Sequence, residues 1–214
     1  MVNKHAIVLG DNGDRAPYHP LVSIESELRS ILGDNYVLDS TEDYNVLSTE
    51  KLNRYDLFIS CTDCFRGEVA DEQITGLLSY VSAGGKLLVI HNGISLQVRE
   101  EFSKMVGARF TGHPPYQLLN FHPTAADHPI MQGTRPFSME DEPYLFQFHS
   151  PLKDDLTILL SYTLDGEIKP AAWTASYGKG RFVYLMPGHS LPSFQQEAYR
   201  TLIRSSADWL VSLE

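Results

Sequence analysis

The feature that most restricts the fold of this chain is the alternation of short apolar runs with helical periodicity along its first half. Apolar runs at residues 5–10, 36–38, 55–60 and 86–90 predict buried strands. Strands that are separated by helices of about ten to fifteen residues favour a parallel sheet covered on both faces. We therefore expect an α/β fold, in which ligands bind at the carboxyl ends of the strands.

Two amphipathic helices are predicted between these strands. The first has apolar residues at helical spacing from Leu21 to Leu32 and follows Pro20, a residue well suited to a first helical turn. The second has its apolar face between Ile74 and Val81 and ends at Gly84-Gly85. Both helices have the length that a crossover between parallel strands requires.

The second half of the chain changes character. Between about residues 108 and 150, prolines, histidines and aromatic residues crowd together and helical periodicity fades, which predicts an irregular, site-forming insertion. Apolar runs at residues 157–160, 171–174 and 181–185 predict strands, and residues 177–180 predict a hairpin turn between the last two.

A final helix is predicted near the carboxyl terminus. Ser193, with Gln196 three residues later, has the spacing of a capping box. One face of the helix carries apolar and small residues at helical spacing: Tyr199, Leu202, Ile203, Ser206 and Leu210.

Length and charge narrow the class of protein. A chain of 214 residues is expected to form one domain over residues 1–214, because a single core can serve that length. With 17 Lys and Arg against 27 Asp and Glu, the formal net charge is −10, so nucleic acid is not expected as a partner. No membrane span or secretory segment is predicted, and we expect a cytoplasmic protein. The sequence leaves a homo-oligomer open.

Two cysteines lie close together, as Cys61 and Cys64, so no disulfide framework is expected. Their spacing is that of redox motifs and of half a zinc site. However, the chain has no second cysteine pair, and Phe65-Arg66-Gly67 stands where a thioredoxin-type helix would continue. The sequence alone leaves any role of these cysteines undecided.

Histidines are the strongest candidates for chemistry, since the chain has eight of them. Six fall at predicted strand ends or in the irregular segment: His19, His91, His113, His122, His149 and His189. His91 follows the strand at 86–90 and His189 follows the strand at 181–185, so both should stand on the same rim of the sheet. No fixed-spacing metal signature is present, so no cofactor is expected, although a divalent metal such as zinc stays open.

Other catalytic motifs are absent from the sequence. No phosphate-binding glycine loop and no Gly-x-Ser-x-Gly elbow occurs. Carboxylates are present in the predicted irregular segment as Asp141-Glu142, where a carboxylate beside imidazoles could orient one of them, act as general acid or base, or complete a metal site.

An ordered series of short motifs covers nearly the whole chain and resembles the ThuA-like (trehalose utilisation) family. The motifs are residues 70–73 with the helix after them, Gly84-Gly85-Lys86, Ile90-His91, residues 106–110 with Gly112-His113-Pro114, Asp127-His128-Pro129-Ile130 with Gly133, Asp141-Glu142 with Tyr144, Ala172-Trp173-Thr174 with residues 177–181, and Gly188-His189.

This resemblance implies a flavodoxin-like, class I glutamine amidotransferase-like three-layer sandwich with a mainly parallel sheet. It also implies a role in carbohydrate metabolism connected with oxidised (3-keto) sugars or glycosides. In true amidotransferases, the turn after the corresponding strand carries a nucleophilic cysteine, and His91 stands in its place here. A thioester with glutamine cannot form at that position, so glutaminase activity is not expected.

The resemblance also indicates the site. The catalytic candidates are His91, His113, Glu142 and His189, and the substrate-binding candidates are His19, Asn92 and Tyr144. Our interpretation of their roles is that Glu142 or His91 is the general base, that His113 and His189 orient or protonate a sugar oxygen, and that Tyr144 forms a wall.

Three functions remain open from the sequence. The first is a hydrolase, lyase or isomerase that acts on a small-molecule sugar ligand by acid/base chemistry. The second is a non-catalytic sugar-binding or assembly protein on the same fold, because fold alone does not decide function. The third is metal-dependent hydrolysis, which requires three of these groups to converge on one ion at about 2 Å.

Overall fold

The structure is a computed structural model that describes residues 3–149 and 155–212. The strands within these ranges are β1 (Lys4–Gly10), β2 (Tyr36–Thr41), β3 (Leu57–Cys61), β4 (Lys86–Ile90), β5 (Ala108–Gly112), β6 (Gln117–Pro123), β7 (Phe137–Asp141), β8 (Leu145–Phe148), β9 (Thr157–Leu164), β10 (Glu167–Tyr177) and β11 (Gly180–Leu185). The α-helices are α1 (Leu21–Leu32), α2 (Thr49–Leu52), α3 (Asp71–Ser82), α4 (Glu100–Met105), α5 (Leu191–Gln195) and α6 (Glu197–Val211).

One half of the main sheet is parallel and has the strand order β2-β1-β3-β4-β11. This is the flavodoxin-like order, with β11 as the fifth parallel strand. The expected α/β fold is therefore confirmed. Strands β3, β4 and β11 are almost wholly buried because helices cover both faces, which explains why they appear in the sequence as continuous apolar runs.

The other half of the sheet is antiparallel and extends the order through β10, β9, β6 and β7. The sheet is thus mixed, and its parallel part is the flavodoxin-like half, which holds five of the nine strands. The hairpin predicted at residues 177–180 is present between β10 and β11.

The segment from residue 108 onward is the main difference from the expected secondary structure. In place of an irregular insertion, it contains β6 and β7 of the main sheet, and β5 and β8 form a separate two-stranded sheet. Strand β6 alternates between buried and exposed residues, with Leu118 61% exposed, so it shows no continuous apolar run. Ser150, where the predicted insertion ends, lies outside the described residues.

Helices complete the three layers. On one side, α1 packs against α5 and α6, and an ion pair between Glu27 and Arg200 joins α1 to α6. On the other side, α3 packs against α2 and α4. The chain crosses from β1 to β2 and from β3 to β4 in opposite directions along the sheet. Because such crossovers are right-handed, the two groups of helices lie on opposite faces of the sheet.

The final helical region differs from its predicted start. The buried face of α6 is the predicted one, but Gln196 is its N-cap and accepts a hydrogen bond from the backbone N–H of Tyr199. Ser193 belongs to the short helix α5, and its hydroxyl donates to Asp141 at 2.8 Å. The residue that we expected to cap the helix therefore holds a carboxylate from β7.

Candidate functional site

His91 lies in a strained turn at the carboxyl end of β4, as the sequence predicts. Its φ is +46°, a left-handed conformation that a non-glycine residue rarely adopts. The chain then continues as a 3-10 helix, His91–Val98, and Gly93 passes so close to β3 that a Cβ there would lie 2.0 Å from the carbonyl oxygen of Ser60. The turn therefore holds a fully buried imidazole at the rim of the sheet.

His189 reaches the same rim from the neighbouring strand. Leu185 at the end of β11 pairs with Ile90 at the end of β4, so the two chains leave the sheet side by side. Gly188 makes the next turn with φ at +133°, and the imidazole ring centres of His91 and His189 are 5.7 Å apart.

Glu142 enters from the other half of the sheet. It directly follows Asp141, the last residue of β7, and Asp141 is fully buried. The Asp141 carboxylate accepts hydrogen bonds from the backbone N–H groups of Gly188 and His189 and from the hydroxyl of Ser193. These bonds fix the end of β7 against the loop after β11, although β7 is the last strand in the sheet order.

The Glu142 carboxylate lies among four imidazoles. Its Oε2 is 3.1 Å from Nδ1 of His189, 3.4 Å from Nε2 of His91 and 3.8 Å from Nε2 of His19. Its Oε1 is 3.7 Å from Nδ1 of His113. In addition, Nε2 of His19 and Nδ1 of His189 are 2.9 Å apart. We call His19, His91, Glu142 and His189 the imidazole–carboxylate cluster.

The surroundings of this cluster favour a negative charge on Glu142 and a positive charge on His19. Burial acts to raise the pKa of the Glu142 carboxyl, but hydrogen bonds from His189 and His19 outweigh it and leave that pKa lowered. Burial acts to lower the pKa of His19, but hydrogen bonds to Asp63 and Glu142 raise it to about 9. Burial lowers the pKa of His91, so this imidazole is neutral.

The cluster opens into a cleft of about 610 Å³. His19, His113, Glu142 and Tyr144 are among its lining residues. The aromatic side chains of Tyr18, Phe65 and Phe110 also line it, and Arg15 and Arg66 stand at its exposed edge. Such a cleft combines apolar walls with a few convergent polar groups, as small-molecule sites generally do.

Comparison with known proteins decides the family. The sequence profile of the ThuA family, described as trehalose utilisation, matches residues 18–210. The chain belongs to the ThuA family. No curated protein sequence is similar enough to match this chain.

Solved structures of similar fold include proteins described as ThuA-like. A putative ThuA-like protein from Bacteroides uniformis superposes with a TM-score of 0.81 at 19% identity, over 100% of this chain and 94% of that one. One from Parabacteroides merdae gives 0.81 at 15% identity, over 99% and 91% of the two chains. A cytoplasmic protein of Salmonella typhimurium gives 0.69 at 15% identity, over 96% and 99%. At these identities the likeness shows the fold alone.

The length and apolarity of the helices show whether the described part of this ThuA-family chain has a membrane-spanning helix. None of the helices within residues 3–149 and 155–212 is both long enough and apolar enough to cross a membrane.

Most of the predicted site residues lie together, but His113 and Asn92 differ from the others in exposure and in contacts. Tyr144 lies under the cluster, with its ring centre 4.2 Å from that of His91 and 4.2 Å from that of Phe110. His113 is more exposed, at 36% of its side chain. Asn92 is buried, and its amide donates to the backbone carbonyl of Cys61, so it ties the turn to β3.

Two further histidines from the sequence survey lie outside the cluster. His122 is exposed on β6, and His149 has its Nε2 3.1 Å from the hydroxyl of Ser103. The histidines of the imidazole–carboxylate cluster lie at the carboxyl ends of the parallel strands, whereas His122 and His149 do not. Position at this rim, and not residue type alone, therefore identifies them.

Two carboxylates have supporting roles: Asp141, which the sequence offered as a candidate acid, and Asp63, which the sequence analysis missed. Asp63 accepts a hydrogen bond from Nδ1 of His19 at 2.9 Å, and Asp141 anchors the loop that carries His189. The sequence feature that could have indicated Asp63 is its position two residues after β3, on the same rim of the sheet as His91. Its neighbours Cys61 and Cys64 are buried free thiols.

Proposed function

We propose that this ThuA-family protein is an enzyme that acts on a 3-keto sugar or glycoside by acid/base chemistry centred on Glu142. The observation that carries the proposal is a single carboxylate in contact with His19, His91, His113 and His189 in an aromatic-walled cleft. Acid/base catalysis requires proton donors and acceptors within reach of one substrate, and this cluster supplies both.

The proposed chemistry uses the ketone of the sugar. A carbonyl group acidifies the hydrogen on the carbon next to it, and Glu142 or neutral His91 accepts that proton. The electron pair left on carbon then expels a leaving oxygen on the adjacent carbon, and that oxygen takes a proton delivered by His113, the imidazole on the open side of the cleft.

The walls of the cleft suit a sugar ring. The Phe110 ring lines the cleft, and His113 and Glu142 line the same cleft with polar groups. A small carbohydrate can therefore have its C–H face on the aromatic rings and its oxygens toward the cluster. We propose that this occurs in the cytoplasm, in line with the description of the Salmonella typhimurium neighbour.

A non-catalytic sugar-binding or assembly protein is the second candidate. It rests on the absence of a cysteine from the turn after β4, where His91 replaces the nucleophile of the amidotransferases that the fold resembles. This candidate predicts that sugars bind in the cleft and leave unchanged.

The test is a substrate screen in which products are followed by mass spectrometry. Purified protein is incubated with 3-keto-glycosides and, separately, with the corresponding unoxidised disaccharides. The proposal predicts conversion of an oxidised sugar and no conversion of its unoxidised partner. Conversion of neither by the folded protein, with binding of both in calorimetry, would replace the enzyme with the binding protein.

A further inference from the structure

Four donor atoms of the imidazole–carboxylate cluster surround one point. They are Nε2 of His19, Nε2 of His91, Nδ1 of His189 and Oε2 of Glu142, and all lie within 4.8 Å of one another. Four separations between them are 2.9, 3.1, 3.4 and 3.8 Å. Tetrahedral ligands at zinc distances of about 2.0–2.1 Å stand about 3.4 Å apart. The cluster therefore already has the size of a tetrahedral zinc shell.

His91 directs an unshared electron pair at this point. Its Nδ1 is 2.6 Å from the carbonyl oxygen of Met186, and a carbonyl only accepts, so Nδ1 carries the proton. Nε2 of the neutral ring is then a lone-pair donor to a metal. The ring is fully buried, and its Nε2 has no hydrogen-bond partner among the described residues. A buried nitrogen of this kind is costly unless a ligand satisfies it.

His19 is oriented in the manner of a metal-ligating histidine. Its Nδ1 donates to Asp63, which leaves Nε2 to face the cluster. A carboxylate behind an imidazole fixes the ring and strengthens it as a ligand. Glu142 and His189 are held in turn by Asp141, which accepts from the backbone N–H of each.

The donor set selects the kind of cation. Three imidazole nitrogens and one carboxylate oxygen suit zinc and similar transition metals, whereas Mg²⁺ and Ca²⁺ prefer oxygen ligands. We propose that His19, His91, His189 and Glu142 bind one divalent cation of the zinc class at the base of the cleft. The second oxygen of Glu142 faces His113 and the cleft, so it stays available to a substrate.

The test measures metal binding directly. Protein stripped with EDTA is titrated with ZnCl₂ by calorimetry, and bound zinc is counted by plasma mass spectrometry. We expect one zinc per chain, and Co²⁺ should give the intense visible absorption of a tetrahedral site. MgCl₂ in excess should not compete.

Variants assign the binding to these residues. Replacement of a ligand, as in His189→Ala, should lower zinc affinity by more than about 100-fold, since loss of an outer partner alone costs about 10–100-fold. Asp63→Asn, which keeps the shape of the side chain, should show that smaller loss of about 10–100-fold. His122→Ala removes an exposed histidine of β6 and should bind zinc as the parent does.

Two results would overturn the site. One is a parent protein, folded by circular dichroism, that retains no zinc after the titration. The other is zinc affinity that is the same in the parent and in folded His189→Ala and Asp63→Asn. The outcome is independent of the proposed reaction: stoichiometric zinc with no sugar converted rejects the enzyme alone, and conversion by a protein that retains no zinc in the titration rejects the metal site alone.

Discussion

His91 shows how much a single residue position determines in this protein. Its place after β4 was predictable from the sequence, because a short apolar run ends there and Asn92-Gly93 follows. Its hydrogen bond to Met186 was not, since that contact depends on the chain after β11, which is remote in the sequence. The same limit applies to Asp63, whose partner His19 comes from another loop.

At the residue scale we predict that the two thiols react slowly. Burial raises the pKa of Cys61 to about 12 and that of Cys64 to about 11, so both are protonated at pH 8 and shielded from reagents. Iodoacetamide should leave the native protein unmodified over a time in which it alkylates both cysteines in urea, as intact-mass measurement will show. Rapid alkylation of the native protein would mean that a thiolate is accessible.

Cys61 and Cys64 are also predicted to be dispensable for the reaction, because neither is part of the imidazole–carboxylate cluster. Replacement of both with serine should leave turnover within a few-fold of the parent, measured on any sugar that the parent converts. The melting temperature serves as the folding control. Loss of turnover by a folded double variant would restore a redox or zinc role for the pair.

At the scale of elements, the turn after β4 depends on the absence of a side chain at Gly93. A Cβ there would meet the backbone of Ser60 at 2.0 Å, so β3 or the 3-10 helix must move. We expect Gly93→Ala to lower the free energy of unfolding by at least about 1–3 kcal/mol, the usual cost of overpacking. Urea denaturation measures it.

Gly67 supplies the matched control for that substitution. A Cβ at Gly67 would make only ordinary contacts, the nearest at 3.6 Å from the carbonyl oxygen of Cys64. Gly67→Ala should therefore leave the urea midpoint close to that of the parent. Equal midpoints for the two variants would show that the turn after β4 adapts freely.

Arg181 joins the sheet to the last helix. From β11 it donates hydrogen bonds to the carbonyl oxygens of Trp209, Leu210 and Ser212, and its guanidinium lies 4.2 Å from the centre of the Trp209 ring. These carbonyls form the end of α6, where a positive charge is favourable. The Arg181 side chain therefore caps the carboxyl end of α6 and connects that helix to β11.

We predict that Arg181→Met destabilises the protein by about 3 kcal/mol, because hydrogen bonds from a charged donor are lost and buried carbonyls remain. The urea midpoint should fall, and the free energy of unfolding should fall with it. Arg135→Met, at an exposed position, provides the comparison and should change little. A midpoint for Arg181→Met equal to that of Arg135→Met would contradict the assigned contact.

At the scale of the whole molecule, the site draws on five separate segments of the chain. His19, His91 and His189 follow strands β1, β4 and β11, so the parallel half of the sheet was enough to predict that these histidines meet at one rim. Asp63 follows β3 on the same rim but was not predicted. From the residues alone, Glu142 was one candidate carboxylate in the predicted irregular segment, and the resemblance of its motif assigned it to the site. Nothing in the local sequence shows that β7, at the far end of the sheet, returns to the loop after β11 through Asp141.

The central claim is that the Glu142 carboxylate takes part in the reaction rather than shaping a loop. The most direct measurement compares turnover of Glu142→Gln with that of the parent on a 3-keto-glycoside that the parent converts, with binding followed by calorimetry. Glutamine keeps the shape and removes the base, so we predict a loss of about 100-fold or more in turnover while the sugar still binds. His5→Gln, at an exposed position on β1, should keep full activity. Full activity of Glu142→Gln would contradict the account.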